Sequence, residues 1–173
     1  MKRFPTQSLA ALLLLVCSSA YGQDLPLSPS RIEGGGPVDV EALTQRATVI
    51  VRAIVADSET KWIGNVIYTE YNLVVQETLK GNAQSSITLA LPGGEIGNVA
   101  LGVPGTPELV AGNELVFFGE SLNGQASFKP VGIFDGIIPV QQGVGSEPTV
   151  APRGQQESLD EFLDEVRALG RNR

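Results

Sequence analysis

Apolar and polar residues alternate in short runs along most of the chain between residues 48 and 141, and turn-forming residues separate the runs. Alternation with a period of two is typical of strands that bury one face. Turn signals at this spacing favour an all-β fold. The pattern predicts strands over residues 48–56, 66–79, 86–91, 99–101, 114–119, 126–131 and 136–141.

The longest predicted strand, residues 66–79, has one polar and one largely apolar face. Residues 86–91 alternate in the same way after a Lys-Gly-Asn turn, which predicts that they pair with this strand. The largely apolar face carries Ile67, Thr69, Tyr71, Leu73 and Val75.

Two further patterns predict how the other strands are connected. Residues 48–56 are apolar at nearly every position except Arg52, so we expect burial on both faces, followed by a turn at residues 57–59. Asn123-Gly124 predicts a tight hairpin between residues 114–119 and 126–131.

One amphipathic helix is predicted over residues 158–170, because Ser158 and Glu161 form a capping box and Gly170 is a stop signal. We expect it to pack on the sheet, and docking to a partner is the alternative. Residues 38–45 predict either one helical turn or an irregular entry. The apolar face of the C-terminal helix carries Leu159, Phe162, Leu163, Val166 and Leu169.

These strands are too few for two packed sheets. They predict a mainly β fold, a small five- to six-stranded antiparallel, OB-like barrel with one C-terminal amphipathic helix. The barrel domain is assigned to residues 38–143 and a linker to residues 144–157. Residues 23–37 contain three prolines and a glycine triplet, so we expect a flexible leader there.

Residues 1–22 have the features of a secretory signal peptide: a basic start, a short apolar core and small residues before Gln23. The apolar run is too short to span a membrane. We therefore expect a secreted or periplasmic bacterial protein with no membrane insertion after cleavage. A lipid anchor at Cys17 is the alternative, although Val16 stands where lipoprotein signals have a small residue.

Composition narrows the chemistry that the domain can perform. The chain has no histidine, and its one cysteine, Cys17, lies within the signal. Histidine-based triads, histidine-ligated zinc and disulfides are therefore excluded from the mature domain. We expect no catalytic residues, no metal site and no cofactor.

Charge narrows the class of partner. The chain has a net charge of −7, and removal of Lys2 and Arg3 leaves ten basic and 19 acidic residues, a mature charge of −9. This charge disfavours nucleic acid as a partner.

Four sequence strings resemble a family of uncharacterised exported bacterial domains: ATVIVRAIVADSETKW, IYTEYNLVVQETLKG, ITLALPGGEIG and VPGTPELVAGNELVFF. The resemblance covers residues 47–140, although Asn113 replaces an acid that is common in the family, and the tail from residue 146 lies outside it. It implies an OB-type barrel similar to the netrin-like domains of tissue inhibitors of metalloproteinases. Those inhibitors chelate zinc through a disulfide-locked N-terminal cysteine, which a chain starting at Gln23 lacks.

Candidate binding residues lie on the long strand and in the loops. Pro92-Gly93-Gly94-Glu95 predicts either a ligand contact or a corner turn in which Glu95 caps backbone amides. Trp62, Tyr68 and Tyr71 predict either an aromatic platform or, alternatively, a cover over the barrel end with Tyr71 in the core.

The acids and one loop supply two further candidates. Glu70, Glu77, Glu95 and Asp135 are the acids from which a carboxylate pair would have to come. Residues 103–107 predict an exposed loop with Pro104 and Pro107 that would insert into a protease.

These features favour a non-enzymatic binding module over an enzyme, with another exported protein as the expected partner. The alternatives are a small carboxylate-dependent hydrolase or sugar-active protein, and an inhibitor acting through a surface loop. The expected binding surface comprises Trp62, Tyr68, Glu70, Gly93, Gly94, Glu95, Pro104 and Pro107.

Overall fold

The computed structural model describes residues 38–122, 127–142 and 146–171. The signal peptide, Cys17, the leader and the Asn123-Gly124 turn lie outside the described residues. Within them the chain is mainly β, as the alternation predicts, the C-terminal helix is present, and the helical alternative for residues 38–45 is the right one. The elements are α1 Val40–Arg46, β1 Val49–Ile63, β2 Val66–Lys80, β3 Ser86–Pro92, β4 Gly94–Ile96, β5 Val99–Leu101, β6 Glu114–Ser121, β7 Ser127–Pro130, β8 Ile137–Pro139, β9 Thr149–Val150, β10 Glu157–Ser158 and α2 Leu159–Arg171.

The main sheet closes on itself. Its strands follow the order β1-β2-β3-β7-β6-β8, and an additional pairing of β1 with β6 completes a ring of five strands with β8 attached to β6. All pairings in this sheet are antiparallel except that of β3 with β7. The predicted mainly β fold with a closed sheet of five to six strands is thus confirmed, with one parallel pair that the sequence pattern did not predict.

The ring has an apolar interior built from the inward faces of its strands. Phe117, Leu73, Leu89 and Leu115 are fully buried there, together with the first half of β1. Four of the five residues on the predicted dry face of β2 line this side, and all four are buried: Ile67, Thr69, Tyr71 and Leu73.

A second apolar core lies between the outer face of the sheet and the two helices. Phe162 of α2 meets Phe118 of β6 edge to face, with ring centroids 6.4 Å apart. Ile50 of β1 faces this core, so the first half of β1 is buried on both faces, as its composition predicts. Arg167 of α2 adds an ion pair to Glu77 of β2 at 2.6 Å. The C-terminal helix therefore packs on the sheet.

The first helix is held at both ends. The Asp39 side chain accepts a hydrogen bond of 3.0 Å from the Ala42 amide and so caps the N-terminus. At the other end, the Lys80 ammonium donates to the Thr44 carbonyl at 2.6 Å, which places a positive charge where the helix dipole favours one. Neither helix in the described part of the chain is long and apolar enough to cross a membrane.

The turn predicted at residues 57–59 is wrong. β1 continues through these polar residues to Ile63, and the turn lies at Gly64-Asn65, where Gly64 has a φ of 62°. The polar residues belong to a hairpin that extends past the pairing of β1 with β6, which ends at Ile54. Since this extension is not covered on both faces, its strands tolerate polar side chains.

The start of α2 also differs from the prediction. Ser158 belongs to β10 and pairs with Thr149, and among the described residues it makes no capping bond to Glu161. The helix instead begins where the Leu159 amide donates to the Pro148 carbonyl at 2.9 Å. The strand β9 and the first residue of β10 lie within the predicted linker, residues 144–157. Part of that linker is therefore paired as a two-stranded sheet.

Candidate functional site

We use the name loop end for three connections taken together: the Gly64-Asn65 turn, residues 93–113 between β3 and β6, and residues 131–136, which separate β7 from β8 opposite Phe118. The Phe134 ring lies beside Gly105, so residues 93–113 and 131–136 are in contact. The Gly93 amide donates to the Ile67 carbonyl at 2.8 Å, and the Val55 amide donates to the Asn113 carbonyl at 2.9 Å. These bonds attach the long connection to the β1–β2 hairpin.

Gly93 and Gly94 turn the chain sharply into the small β4–β5 hairpin. Their φ angles are 114° and 128°, which side chains other than glycine rarely adopt. A Cβ atom on Gly94 would also lie 2.5 Å from Thr69 Oγ1 and 2.6 Å from Thr60 Cγ2. The Thr69 hydroxyl donates to the Gly93 carbonyl at 2.8 Å and fixes this corner.

Glu95 does not cap this corner. Its side chain is exposed on β4 and makes no hydrogen bond or ion pair to any other described residue. The corner-turn interpretation is therefore right about the glycines and wrong about the carboxylate, because Gly93 and Thr69 already satisfy the backbone of the turn.

Behind the corner lies a cavity of about 270 Å³ between the inner face of β2 and β3 and the long connection. Its walls are almost equally polar and apolar, and the apolar residues include Leu91, Leu101, Val103 and Pro107. Besides Thr69, three residues with side-chain oxygens belong to the lining: Tyr71, Thr106 and Glu108. No basic residue belongs to the lining.

The Tyr71 hydroxyl is in an unusual environment. Burial raises the pKa of Tyr71 above its ordinary value, and the negative charge of Glu108 raises it further. The hydroxyl has no hydrogen-bond partner among the described residues, and it is not shut off from solvent. Tyr71 therefore keeps its proton and presents an unused polar group to the cavity.

Thr106 carries a second unused group. Its Oγ1 atom is buried and is the one side-chain polar atom of this kind without a partner in the described part of the chain. A buried hydroxyl without a partner costs about 1–3 kcal/mol. The residue is held in place by a tight turn, in which the Thr106 amide donates to the Val103 carbonyl at 3.1 Å.

Most of the large exposed apolar side chains lie in or next to these connections. Of the seven in the described ranges, only Val74 lies away from them, within β2, and Trp62 points to the face of the hairpin opposite to Ile63 and Val66. Ile133 is the most exposed, at 76%, and Trp62 is 50% exposed. The six at or beside the three connections are Trp62, Ile63, Val66, Val99, Val110 and Ile133.

Ile133 also has a strained backbone. Its φ of 62° is an outlier for a β-branched residue, and the neighbouring Phe134 amide closes a tight turn onto the Gly132 carbonyl at 2.7 Å. The Phe134 ring lies beside Gly105 of the long connection, where a Cβ atom would meet it at 3.6 Å. Strain of this kind is frequent at binding sites.

The predicted aromatic platform does not assemble. Trp62 pairs with Ile67 and Lys61 pairs with Tyr68, so Trp62 and Tyr68 point to opposite faces of the hairpin. Tyr71 is buried in the ring. Of the three aromatic residues, only Trp62 is exposed at the loop end.

The predicted acids also lie apart. Glu70 forms an ion pair with Lys61 at 2.6 Å, and Glu77 pairs with Arg167 on the far half of β2. Glu95 is on β4 and Asp135 is in the loop before β8. Glu108 is the one acid of the cavity lining, so these carboxylates form no pair there. No group of three or more acidic or thiol side chains close enough to hold a metal occurs in the described residues.

The predicted loop at residues 103–107 is anchored rather than protruding. Pro104 and Gly105 form the corners of a turn, with a φ of 84° at Gly105, and both are exposed. Val103 is half-buried and Pro107 is buried. Gly93, Gly94 and Pro107 are the members of the predicted surface that line the cavity.

The sequence pattern missed Glu108 and Ile133, and it placed Thr106 in an exposed loop rather than in the wall of a cavity. Glu108 follows Pro107 inside a connection without periodicity, and Ile133 lies in a Gly-rich loop. The one signal available was charge: residues 93–113 and 131–136 contain three acids and no Lys or Arg.

No protein-family model matches the chain, and no curated protein sequence is similar to it. The resemblance to exported bacterial domains therefore stays a prediction.

Proposed function

We propose that this protein is an exported, non-enzymatic binding module that uses the loop end of its ring to bind another protein. The observation that carries the proposal is that six of the seven large exposed apolar side chains of the described residues lie in or next to these three connections. Exposed apolar side chains on connecting segments are typical of protein interaction sites.

The rest of the described surface supports this assignment. The outer face of the sheet is occupied by α1 and α2, which bury their apolar residues against it. The same face of the β1–β2 hairpin as Val74 carries polar pairs, with Lys61 paired to Glu70 and Asn72 bonded to Asp57 at 3.3 Å. Most of the large exposed apolar side chains therefore lie in or next to the connections of the loop end.

The scaffold also suits this role. Closure of β1 onto β6 and the two apolar cores hold the strands rigidly, while the loop end presents connections. Binding residues occur disproportionately on loops that a rigid scaffold positions. Trp62 and Ile133 are the residues we expect to contribute most, because they are the largest and the most exposed.

Site-specific photo-crosslinking in the source cells tests the proposal. A photoreactive residue in place of Ile133 should give a discrete protein adduct of higher mass. The same residue in place of Val74, the exposed apolar position outside the loop end, should give none. Adducts of equal yield from both positions, or from Val74 alone, would contradict the proposal.

A further inference from the structure

We infer that the cavity at the loop end accepts the side chain of a lysine from the partner protein. This inference rests on the proposed function and adds the chemistry that the partner presents. The walls of the cavity, its oxygen atoms and its charge each favour a lysine side chain as the ligand.

The walls fit the stem of the side chain. Leu91, Leu101, Val103 and Pro107 form an apolar lining that suits four methylene groups. A volume of about 270 Å³ accommodates one long side chain and is small for a drug-sized ligand. The exposed Ile133 precedes Phe134, whose ring lies beside Gly105 of the connection that lines the cavity, so a partner bound at Ile133 has its side chains near the opening.

The oxygen atoms fit the head of the side chain. An ammonium has three N–H donors and no acceptor. The lining includes Tyr71, whose hydroxyl has no partner among the described residues, and Glu108, whose carboxylate forms no ion pair with them. Thr106 belongs to the same wall, and its unpartnered oxygen is shielded from solvent. Two acceptors thus belong to a lining without a basic residue to compete for them.

The charge of the loop end favours a cation. Residues 93–113 and 131–136 carry Glu95, Glu108 and Asp135 and no basic residue, and the whole chain has a net charge of −7. Lys61, the base of the adjoining hairpin, is already paired with Glu70. The acidic residues therefore attract a lysine as it approaches, and the Glu108 carboxylate is free to pair with its ammonium in the cavity.

NMR titration of the protein with blocked lysine, N-acetyl-lysine-N-methylamide, tests the inference. We expect saturable shifts of the Tyr71, Gly93, Gly94 and Thr106 signals, with a Kd on the order of millimolar. Blocked norleucine, which has the stem without the charge, should leave these signals in place. Equal shifts with norleucine, or tighter binding of blocked arginine, would overturn the assignment to lysine.

Two variants that each remove one negative charge distinguish binding in the cavity from attraction by the overall charge of the protein. Glu108→Gln should weaken binding of blocked lysine about tenfold, because a charge-assisted hydrogen bond is lost. Glu95→Gln removes the same charge from an exposed residue of the same end that does not line the cavity, and binding should stay within about twofold. If both variants weaken binding equally, the cavity is not the site.

Thr106→Val is a control within the wall of the cavity. Valine has nearly the same shape and removes the unpartnered buried oxygen, so the Tm of the free protein should rise by about 3 °C. Because that oxygen is shielded from solvent, binding of blocked lysine should stay within about twofold of the wild type. A loss of binding in Thr106→Val that Glu108→Gln does not show would overturn the assignment of the ammonium to Glu108.

The outcome is separable from that of the proposed function. If crosslinking from Ile133 captures a protein but blocked lysine leaves the cavity signals unmoved, the binding module stands and the lysine inference fails. If no adduct forms from Ile133, the proposed function itself fails.

Discussion

Two residues of the cavity lining, Tyr71 and Glu108, interact electrostatically, and this interaction affects the pKa of the tyrosine. Tyr71 is part of the ring interior and still exposes its hydroxyl to a space that also holds Glu108. Both burial and the nearby carboxylate disfavour the tyrosinate, so the phenol stays neutral throughout the physiological range. The pair is therefore a neutral hydrogen-bonding group beside a carboxylate.

Glu108→Gln should lower the pKa of Tyr71 without returning it to the ordinary value of 10.0, since burial is the larger cause of the rise. A tyrosine with a raised pKa stabilises the fold fully below its unfolded pKa, and this contribution is lost as the pH rises toward the folded pKa. Alkaline unfolding of the wild type should thus begin above about pH 10. NMR titration of the tyrosine ring carbons measures both the Tyr71 pKa and the pH at which the protein unfolds.

Glu95→Gln is the matched control for this titration, because Glu95 does not line the cavity. An unchanged Tyr71 pKa in Glu108→Gln, or an equal change in the control, would show that the carboxylate of Glu108 does not act on the phenol.

The elements owe their positions to two apolar cores on opposite faces of one sheet. α2 is amphipathic, and its buried face is the one that helical spacing predicts, with Leu159, Phe162, Leu163 and Val166 all shielded from solvent. Its polar face adds ion pairs from Arg167 to Glu77 and from Arg153 to Glu165, each at 2.6 Å. Exposed pairs of this kind contribute at most about 1 kcal/mol each, so burial holds the helix.

Phe162→Ala should lower the free energy of unfolding by about 3–5 kcal/mol, because it removes a fully buried ring that packs on Phe118. Urea denaturation monitored by circular dichroism measures the change. Ala168→Ser, at an exposed position of the same helix, should stay within about 0.5 kcal/mol of the wild type. A loss below about 1 kcal/mol for Phe162→Ala would mean that α2 does not contribute to the core.

Strands and helices were predictable where one of their faces is buried, because burial of one face makes apolar residues recur at a fixed spacing. The alternation in β2 and the helical spacing in α2 each predicted one buried face, and both predictions are confirmed. The hairpin tip was not predictable, because Asp57, Ser58 and Glu59 resemble a turn wherever a strand leaves the core. The site was least predictable: Thr106, Glu108 and Ile133 lie in connections whose residues come together only after the ring closes.

At the scale of the whole molecule, the described surface has three regions that differ in composition. The helices cover one outer face, the hairpin extension presents a polar face, and the loop end carries apolar side chains, an acidic charge and a cavity. The central claim is that this end is the surface that a partner protein covers.

Hydrogen–deuterium exchange on the full chain, alone and bound to the protein captured by crosslinking at Ile133, tests that claim most directly. We predict added protection of the backbone at residues 62–66, 99–110 and 131–136, with exchange along α2 unchanged. Protection confined to α2 or to the outer face of β2 around Val74 would contradict it.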